Sequence, residues 1–133
     1  MKELATCLGP DQNLVAVVTL PDGEPKPLAF LMLNAGVVHR IGPHRTSVKI
    51  ARRLAELGYA TIRFDISGVG DSRPPRDALP FRQQAVLDIK AAMDHLQDRY
   101  QLKQFGLYGI CAGAMNGYAA ALGDERVELL QLI

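Results

Sequence analysis

Residues 104–123 read QFGLYGICAGAMNGYAAALG and combine two patterns that meet at Cys111. The first part, up to Ile110, is a short apolar run of the length and residue type expected for a buried parallel strand. The second part, from Ala112, is rich in alanine and predicts a helix. The sequence therefore predicts a strand, a very short turn and a helix, with Cys111 at the turn.

The spacing Gly-x-Cys-x-Gly around Cys111 has a physical reason. A residue at so short a turn takes a strained backbone conformation, and Gly109 and Gly113 are pressed against it, which leaves room only for glycine. The turn lifts the Cys111 side chain out of the sheet and places it at the amino end of the helix, where the helix dipole stabilises a thiolate. The N–H of Ala112 then points to where an oxyanion would form. The alternative is an inert, buried cysteine.

The composition indicates one globular domain, or part of one, because 48% of the 133 residues are hydrophobic and 22% are charged. The net charge of +1 gives no support to binding of nucleic acid or of a membrane surface. The two cysteines do not make a disulfide framework, and the amino terminus lacks the apolar core of a signal peptide, so we expect a cytoplasmic protein. We expect Cys7 to be a small core residue of the first strand.

The remaining patterns predict a sheet with crossover helices. Residues 3–20 predict an antiparallel hairpin, since two strand-like runs flank a Gly-Pro-Asp-Gln-Asn turn. Central strands are predicted near 28–34, 59–65, 104–110 and 127–133, and helices near 46–57, 81–100 and 112–122. This order predicts a three-layer α/β fold with helices on both faces of a mostly parallel sheet. In the long helix, Val86 and Ile89 are expected on the buried side and Asp88 in water.

The loop NAGVVHRIGPHR, residues 34–45, follows the first central strand and opens a helix. His39, Arg40, His44 and Arg45 could line a substrate entrance and attract an anionic group; a solvated loop and helix start explain them equally well. The loop does not continue into the Gly-Lys-Ser/Thr ending of a phosphate-binding loop.

A second loop, DISGVGDS at residues 65–72, contains Gly-x-Gly after a strand, as dinucleotide-binding loops do. Arg73 stands where the third glycine belongs, and Pro74-Pro75 prevents an immediate helix. We therefore expect no nucleotide, no other cofactor and no metal.

The segments NAGVVHRIGPHR, RFDISGVGDS and YGICAGAMNG together resemble the α/β-hydrolases. The resemblance is strongest to the cysteine-nucleophile subgroup of serine aminopeptidase-like hydrolases, including those associated with exosortase. It covers almost the entire chain and corresponds to the first six strands of an eight-stranded sheet. Two positions depart from the pattern: Ala35 stands where many hydrolases carry histidine, and Ser67 where arginine is common. In the family the loop at Asp65 is structural, with Asp and Ser as capping residues.

The resemblance implies that Cys111 attacks an ester or thioester carbonyl. It also implies that the N–H groups of Val37, next to Gly36, and Ala112 bind the oxyanion. In this family the chain order is nucleophile, acid, histidine, and no histidine follows Cys111. We therefore expect an amino-terminal part of the domain, truncated after about the sixth strand, with acid and histidine outside it. His39 is an alternative base.

Two classes of function follow from these patterns. The first is an acyl-hydrolysing enzyme that acts on a small-molecule ester or thioester, with acyltransferase and aminopeptidase-like activities as variants that the turn at Cys111 does not distinguish. The second is a catalytically silent fragment that assembles as a homo-oligomer, or with a complementing chain, through an exposed last strand at 127–133.

Overall fold

The computed structural model describes residues 1–77 and 79–133. Within them the strands are β1 Lys2–Leu8, β2 Leu14–Leu20, β3 Leu28–Met32, β4 Thr61–Phe64, β5 Gln104–Gly109 and β6 Val127–Leu132. The helices are α1 Thr46–Glu56, α2 Phe81–Tyr100 and α3 Ala112–Leu122, and a short 3-10 turn, Pro43–Arg45, leads into α1.

The six strands form one mixed sheet in the order β1-β2-β4-β3-β5-β6. β2 runs antiparallel to both β1 and β4, whereas β3 is parallel to β4 and β5, and β5 is parallel to β6. The hairpin therefore occupies one edge, and four parallel strands make up the rest. The carboxyl ends of β3, β4 and β5 meet at one edge of the sheet, which is where parallel α/β sheets place their functional loops.

The helices divide between the two faces of this sheet. α2 and α3 pack against each other, and α2 shares one apolar cluster with sheet residues such as Phe64 and Phe105. α1 packs against β2, β3 and β4, and its own buried residues lie outside that cluster. The predicted α/β fold, with a mostly parallel sheet and helices, is confirmed. No helix of the described residues combines the length and apolarity needed to cross a bilayer.

The prediction that Cys7 is a core residue is wrong, because its side chain is exposed. Successive side chains of a strand point to opposite faces, and in β1 the more buried positions are Leu4, Thr6 and Leu8. Cys7 lies on the opposite face of this edge strand. The alternation of the strand, rather than the residue type, decides its exposure.

The prediction that Asp88 faces water is also wrong. Asp88 is buried on the stripe of α2 that carries Ala85 and Ala92, three and four residues away, and the adjacent Ile89. Its carboxylate accepts hydrogen bonds from the N–H and Oγ of Ser67, and from the side chain of Gln84. These bonds attach the loop after β4 to the middle of α2.

The burial of Asp88 predicts a pH dependence of stability. Burial raises the pKa of Asp88 above its ordinary value of 3.8, although the hydrogen bonds from Ser67 and Gln84 oppose the change. The native state therefore keeps this proton to higher pH than the unfolded chain does. The resulting stability is fully present below 3.8 and is lost as the pH rises through the raised folded pKa.

We therefore expect the free energy of unfolding of the wild type to fall relative to that of Asp88→Asn as the pH is raised from about 4 to about 7. Urea unfolding of both proteins across this range measures the difference. A difference that stays constant or grows with pH would contradict the assignment.

Candidate active site

The turn at Cys111 joins a buried strand to a helix with almost no connecting chain. β5 ends at Gly109, and α3 begins at Ala112. Cys111 has φ 58° and ψ −121°, a backbone conformation that residues other than glycine rarely adopt because it crowds the Cβ atom. Its side chain is exposed. The thiol thus projects to the surface from a strained turn at the amino end of α3.

The two glycines that flank Cys111 allow a close approach of three backbone segments. A Cβ atom at Gly109 would lie 2.5 Å from the carbonyl oxygen of Gly113. A Cβ atom at Gly113 would lie 2.5 Å from the carbonyl oxygen of Asn34, which follows β3. Both distances are far shorter than a normal carbon–oxygen contact. The first turn of α3 therefore rests against the end of β3, and this brings the loop after β3 next to Cys111.

The backbone of Cys111 is also attached to the neighbouring strand. Its N–H donates to the carbonyl oxygen of Ile133 at 2.8 Å, and the N–H of Ile133 donates to that of Gly109 at 3.0 Å. The β5–β6 hydrogen-bond pattern thus continues to the turn itself. The next amide, that of Ala112, has no hydrogen-bond partner among the described residues, as expected for the first N–H of a helix.

The second amide predicted for the oxyanion hole lies in the loop after β3. Gly36 has φ 60°, and the N–H of Val38 donates to the carbonyl oxygen of Ala35 at 3.1 Å, so these residues form a tight turn. Val37 lies at its corner, and the residue is 87% exposed. Within residues 1–77 and 79–133 the Val37 N–H has no hydrogen-bond partner.

Asp65 connects this loop to the loop after β4. Its fully buried carboxylate accepts from the side chain of Asn34 at 3.1 Å and from the N–H of Arg40 at 2.7 Å, both at Oδ1. Its Oδ2 accepts from Nη1 of Arg40 at 2.7 Å and from the N–H of Asp71 at 3.1 Å. Asn34 in addition donates to the carbonyl oxygen of Val38 at 3.0 Å. One buried carboxylate thus joins the two loops.

Arg40, His39 and Asp71 form the outer part of this network. Nη1 of Arg40 lies 2.8 Å from Oδ2 of Asp71, and Nε2 of His39 lies 2.9 Å from the same oxygen. Nη1 of Arg40 also lies 2.9 Å from Nε2 of His39, but both of its hydrogens are already donated, one to Asp65 and one to Asp71. The hydrogen between His39 and Asp71 therefore belongs to Nε2 of His39. Hydrogen bonds from Arg40 and His39 lower the pKa of Asp71. Burial disfavours the charge of Arg40, but hydrogen bonds to Asp71 and Asp65 outweigh it and raise its pKa.

The four side chains predicted at a substrate entrance fall into two pairs, one with partners within the chain and one exposed. Arg40 is only 16% exposed and has two carboxylate partners within the chain, and His39 is bonded to Asp71. His44 and Arg45 are exposed in the 3-10 turn before α1, both with left-handed backbone angles. Contact of these residues with a substrate stays a prediction, and the positive charge of Arg40 is already neutralised by its partners.

One group of side chains has the spacing of a metal site. Ligand atoms of His39, Asp65 and Asp71 all lie within 4.8 Å of one another. The guanidinium of Arg40 lies 2.7 Å and 2.8 Å from the two carboxylates. Its positive charge occupies the place a cation would take, and the group is better explained as an ion-pair network.

Asn34 and Asp65 belong to the candidate site, although the sequence pattern predicts only a capping role for Asp65. The signal that could identify them is positional. Asp65 directly follows β4, Asn34 lies two residues after the end of β3, and β3 and β4 are neighbours in the sheet. Polar residues at the carboxyl ends of adjacent parallel strands meet at one edge.

Comparison with known proteins identifies relatives. The sequence family described as Hydrolase_4, serine aminopeptidase, S33, matches residues 33–132. YcjY, an uncharacterized protein of Escherichia coli (strain K12), is 33% identical over 88 residues, which are 65% of this chain and 29% of that protein. This chain therefore spans less than a third of that relative.

Solved structures share the fold at low identity. An α/β serine hydrolase without a lid from Xanthomonas campestris superposes with a TM-score of 0.74 at 22% identity, over 99% of this chain and 61% of that one. An esterase from Pyrococcus furiosus gives a TM-score of 0.74 at 20% identity, over 97% of this chain and 47% of that one. The chain thus matches about half of each of these structures.

Proposed function

Because the chain belongs to the serine aminopeptidase, S33, family of α/β-hydrolases, we propose that it supplies the nucleophile and the oxyanion hole of an acyl hydrolase. Cys111 is the nucleophile in this proposal. The observation that carries it is the exposed thiol on a strained strand-to-helix turn, at which Gly109 and Gly113 leave no room for a side chain. Strain of this kind persists where it serves a function.

The proposed chemistry is acyl transfer through a thioester. The Cys111 thiolate attacks the carbonyl carbon of an ester or thioester, and the carbonyl electrons move to oxygen. The unpaired N–H groups of Ala112 and Val37 stabilise the oxyanion, which collapses and expels the alkoxide or thiolate leaving group. Transfer of the acyl group to water then regenerates the thiol.

The second step calls for a base that these residues do not supply. No histidine follows Cys111 in the sequence. The described residues contain no hydrogen bond between His39 and Cys111, and Nε2 of His39 already donates to Asp71. We propose that the acid and the histidine come from residues outside this sequence, in the nucleophile, acid, histidine order of α/β-hydrolases. Acylation without turnover is then expected of the 133 residues alone.

The proposed substrate class is a small-molecule ester or thioester. The Pyrococcus furiosus relative and a cold-adapted esterase from an Arctic intertidal metagenomic library, which share the fold, are both described as esterases, in agreement with an ester. The geometry of the turn applies to hydrolysis, acyl transfer and aminopeptidase-like cleavage in the same way.

The proposal predicts one acyl group per chain, on Cys111. Incubation with p-nitrophenyl acetate should release about one equivalent of p-nitrophenolate as a burst, followed by little turnover. Peptide mass spectrometry then locates the acetyl group. Cys7, which is also exposed, serves as the internal control and should carry at most a small fraction of the label. Equal labelling of both cysteines would contradict the proposal.

A second candidate function is assembly through β6. Leu129, Leu130 and Ile133 are exposed, and β6 is an edge strand paired only with β5 among the described residues. An open apolar edge favours pairing with a further strand, from another copy or another chain. The absence of an acetyl group on Cys111, together with association that depends on protein concentration, would favour this second function over the first.

A further inference from the structure

We infer that Asp65 is a positioning residue that sets the direction of the Val37 N–H in the oxyanion hole. The inference rests on the proposed function, since it concerns the same acylation step. It assigns to Asp65 a role beyond capping its own loop. The basis is the way in which the loop after β3 is attached to the rest of the molecule.

Residues 34–40 of this loop form a segment whose two ends are attached to the Asp65 carboxylate. At one end Nδ2 of Asn34 donates to it at 3.1 Å. At the other end Arg40 donates twice, through its backbone N–H at 2.7 Å and through Nη1 at 2.7 Å. Five residues, 35–39, lie between these two attachment points. The Asp65 side chain therefore joins the two ends of this segment, and Asn34 is held further by the bond from the Ile66 N–H to its Oδ1 at 2.9 Å.

Val37 is the middle residue of that span, and the contacts around it are local. The turn is closed by the bond from the N–H of Val38 to the carbonyl oxygen of Ala35, and by the bond from Asn34 to the carbonyl oxygen of Val38. The Val37 side chain is exposed, so packing does not hold this residue. The direction of its N–H therefore depends on the ends of segment 34–40, and through them on Asp65.

The Asp65 carboxylate is itself held rigidly. It is fully buried, and its two oxygens accept four hydrogen bonds, which fills their capacity. Arg40 balances its charge. A Cβ atom at Gly70 would collide with the Asp65 carboxylate, so glycine leaves the room that this carboxylate occupies. Because the carboxylate is buried and all its hydrogen bonds are made, it has a single arrangement, and it can therefore hold the loop after β3 in one conformation.

The test separates a reaction that needs the oxyanion hole from one that does not. Acetylation by p-nitrophenyl acetate passes through an oxyanion, whereas iodoacetamide alkylates the same sulfur by displacing iodide, with no oxyanion. In Asp65→Asn we expect acetylation of Cys111 to slow by about 100-fold, because a misplaced donor costs about as much as a missing one. Alkylation should change by less than about twofold, because the thiol itself is untouched. Exchange of the Val38 amide hydrogen, which is bonded to the carbonyl oxygen of Ala35, should become faster.

Asp124→Asn is the matched control, since Asp124 also pairs with an arginine, Arg126, at 2.7 Å but touches neither loop. It should leave both rates unchanged. If Asp65→Asn does not fold, Arg40→Gln removes one bond to the carboxylate and keeps the backbone bond of residue 40, and a smaller loss of acetylation alone is expected.

Two results for Asp65→Asn would overturn the inference. Equal loss of acetylation and alkylation would show that Asp65 is merely structural, and no loss of either would show that it has no role in the reaction. If the wild type is not acetylated at Cys111, the proposed function fails and this inference fails with it. If the wild type is acetylated and Asp65→Asn reacts equally fast, only the inference fails.

Discussion

Replacement of Cys111 by alanine is expected to abolish the burst of p-nitrophenolate, whereas replacement of Cys7 by serine should leave it unchanged. Both thiols are exposed, so accessibility alone does not separate them. Cys111 lies on a strained turn at the amino end of α3, beside the unpaired N–H of Ala112, whereas Cys7 lies within the regular edge strand β1, which is followed by β2 and not by a helix. The helix start that would stabilise an oxyanion is therefore next to Cys111 and not next to Cys7. The burst is measured by absorbance with p-nitrophenyl acetate in excess over the protein.

A third variant, Cys111→Gly, separates chemistry from backbone strain. Glycine adopts φ 58° and ψ −121° without crowding a Cβ atom, so this variant should lose the burst and gain stability. We expect the free energy of unfolding to rise by about 1 kcal/mol, which is the strain released less the greater entropy of glycine in the unfolded chain. The assignment of the reaction to Cys111 would be contradicted by a burst that survives in Cys111→Ala, or by one that disappears in Cys7→Ser.

Replacement of Gly109 by alanine is expected to destabilise the fold by about 3 kcal/mol. The new methyl group would lie 2.5 Å from the carbonyl oxygen of Gly113 and 2.8 Å from the amide nitrogen of Ala114. Both are backbone atoms in the first turn of α3, so relief would require α3 to move away from β5. The same movement would carry Cys111 away from the loop after β3, and acetylation should be lost together with stability.

Gly123→Ala is the control for this variant. Gly123 follows α3 with φ −108°, and a Cβ atom there would meet nothing within 4 Å. Its free energy of unfolding should change by less than about 0.5 kcal/mol. Urea unfolding of the two variants gives the comparison. Similar stabilities for both would mean that the close approach at Gly109 is not a constraint on the fold.

The fold could be predicted because its signals are local. The short apolar runs of β3 and β5 and the glycines around Cys111 are patterns of residues that lie close together in the sequence. The errors concern the face on which a side chain lies. In the structure Asp88 lies on the buried stripe of α2 with Ala85, Ile89 and Ala92. The stripe predicted from the sequence, through Val86, fits the apolar residues of the helix almost as well and puts Asp88 in water. A buried carboxylate becomes explicable only when its partner Ser67, 21 residues away, is known.

The candidate site could be predicted in part for the same reason. Cys111 and its glycines form one local motif, and their geometry in the structure is that of the predicted turn. The bonds of Asp65 to Asn34 and Arg40 join residues 31 and 25 positions apart, and no local pattern encodes them. Arg40 looks like a free cation in the sequence, and only the fold reveals two carboxylates beside it. Charge complementarity between loops is a property of the tertiary structure.

The hydrogen bond from the Cys111 amide to the Ile133 carbonyl gives β6 an influence on the reactive sulfur. With its return bond from Ile133 to Gly109, it makes the outermost strand a brace for the bend that carries the thiol. A segment that binds to β6, or a mechanical load applied to it, should therefore change how rigidly the Cys111 side chain is oriented.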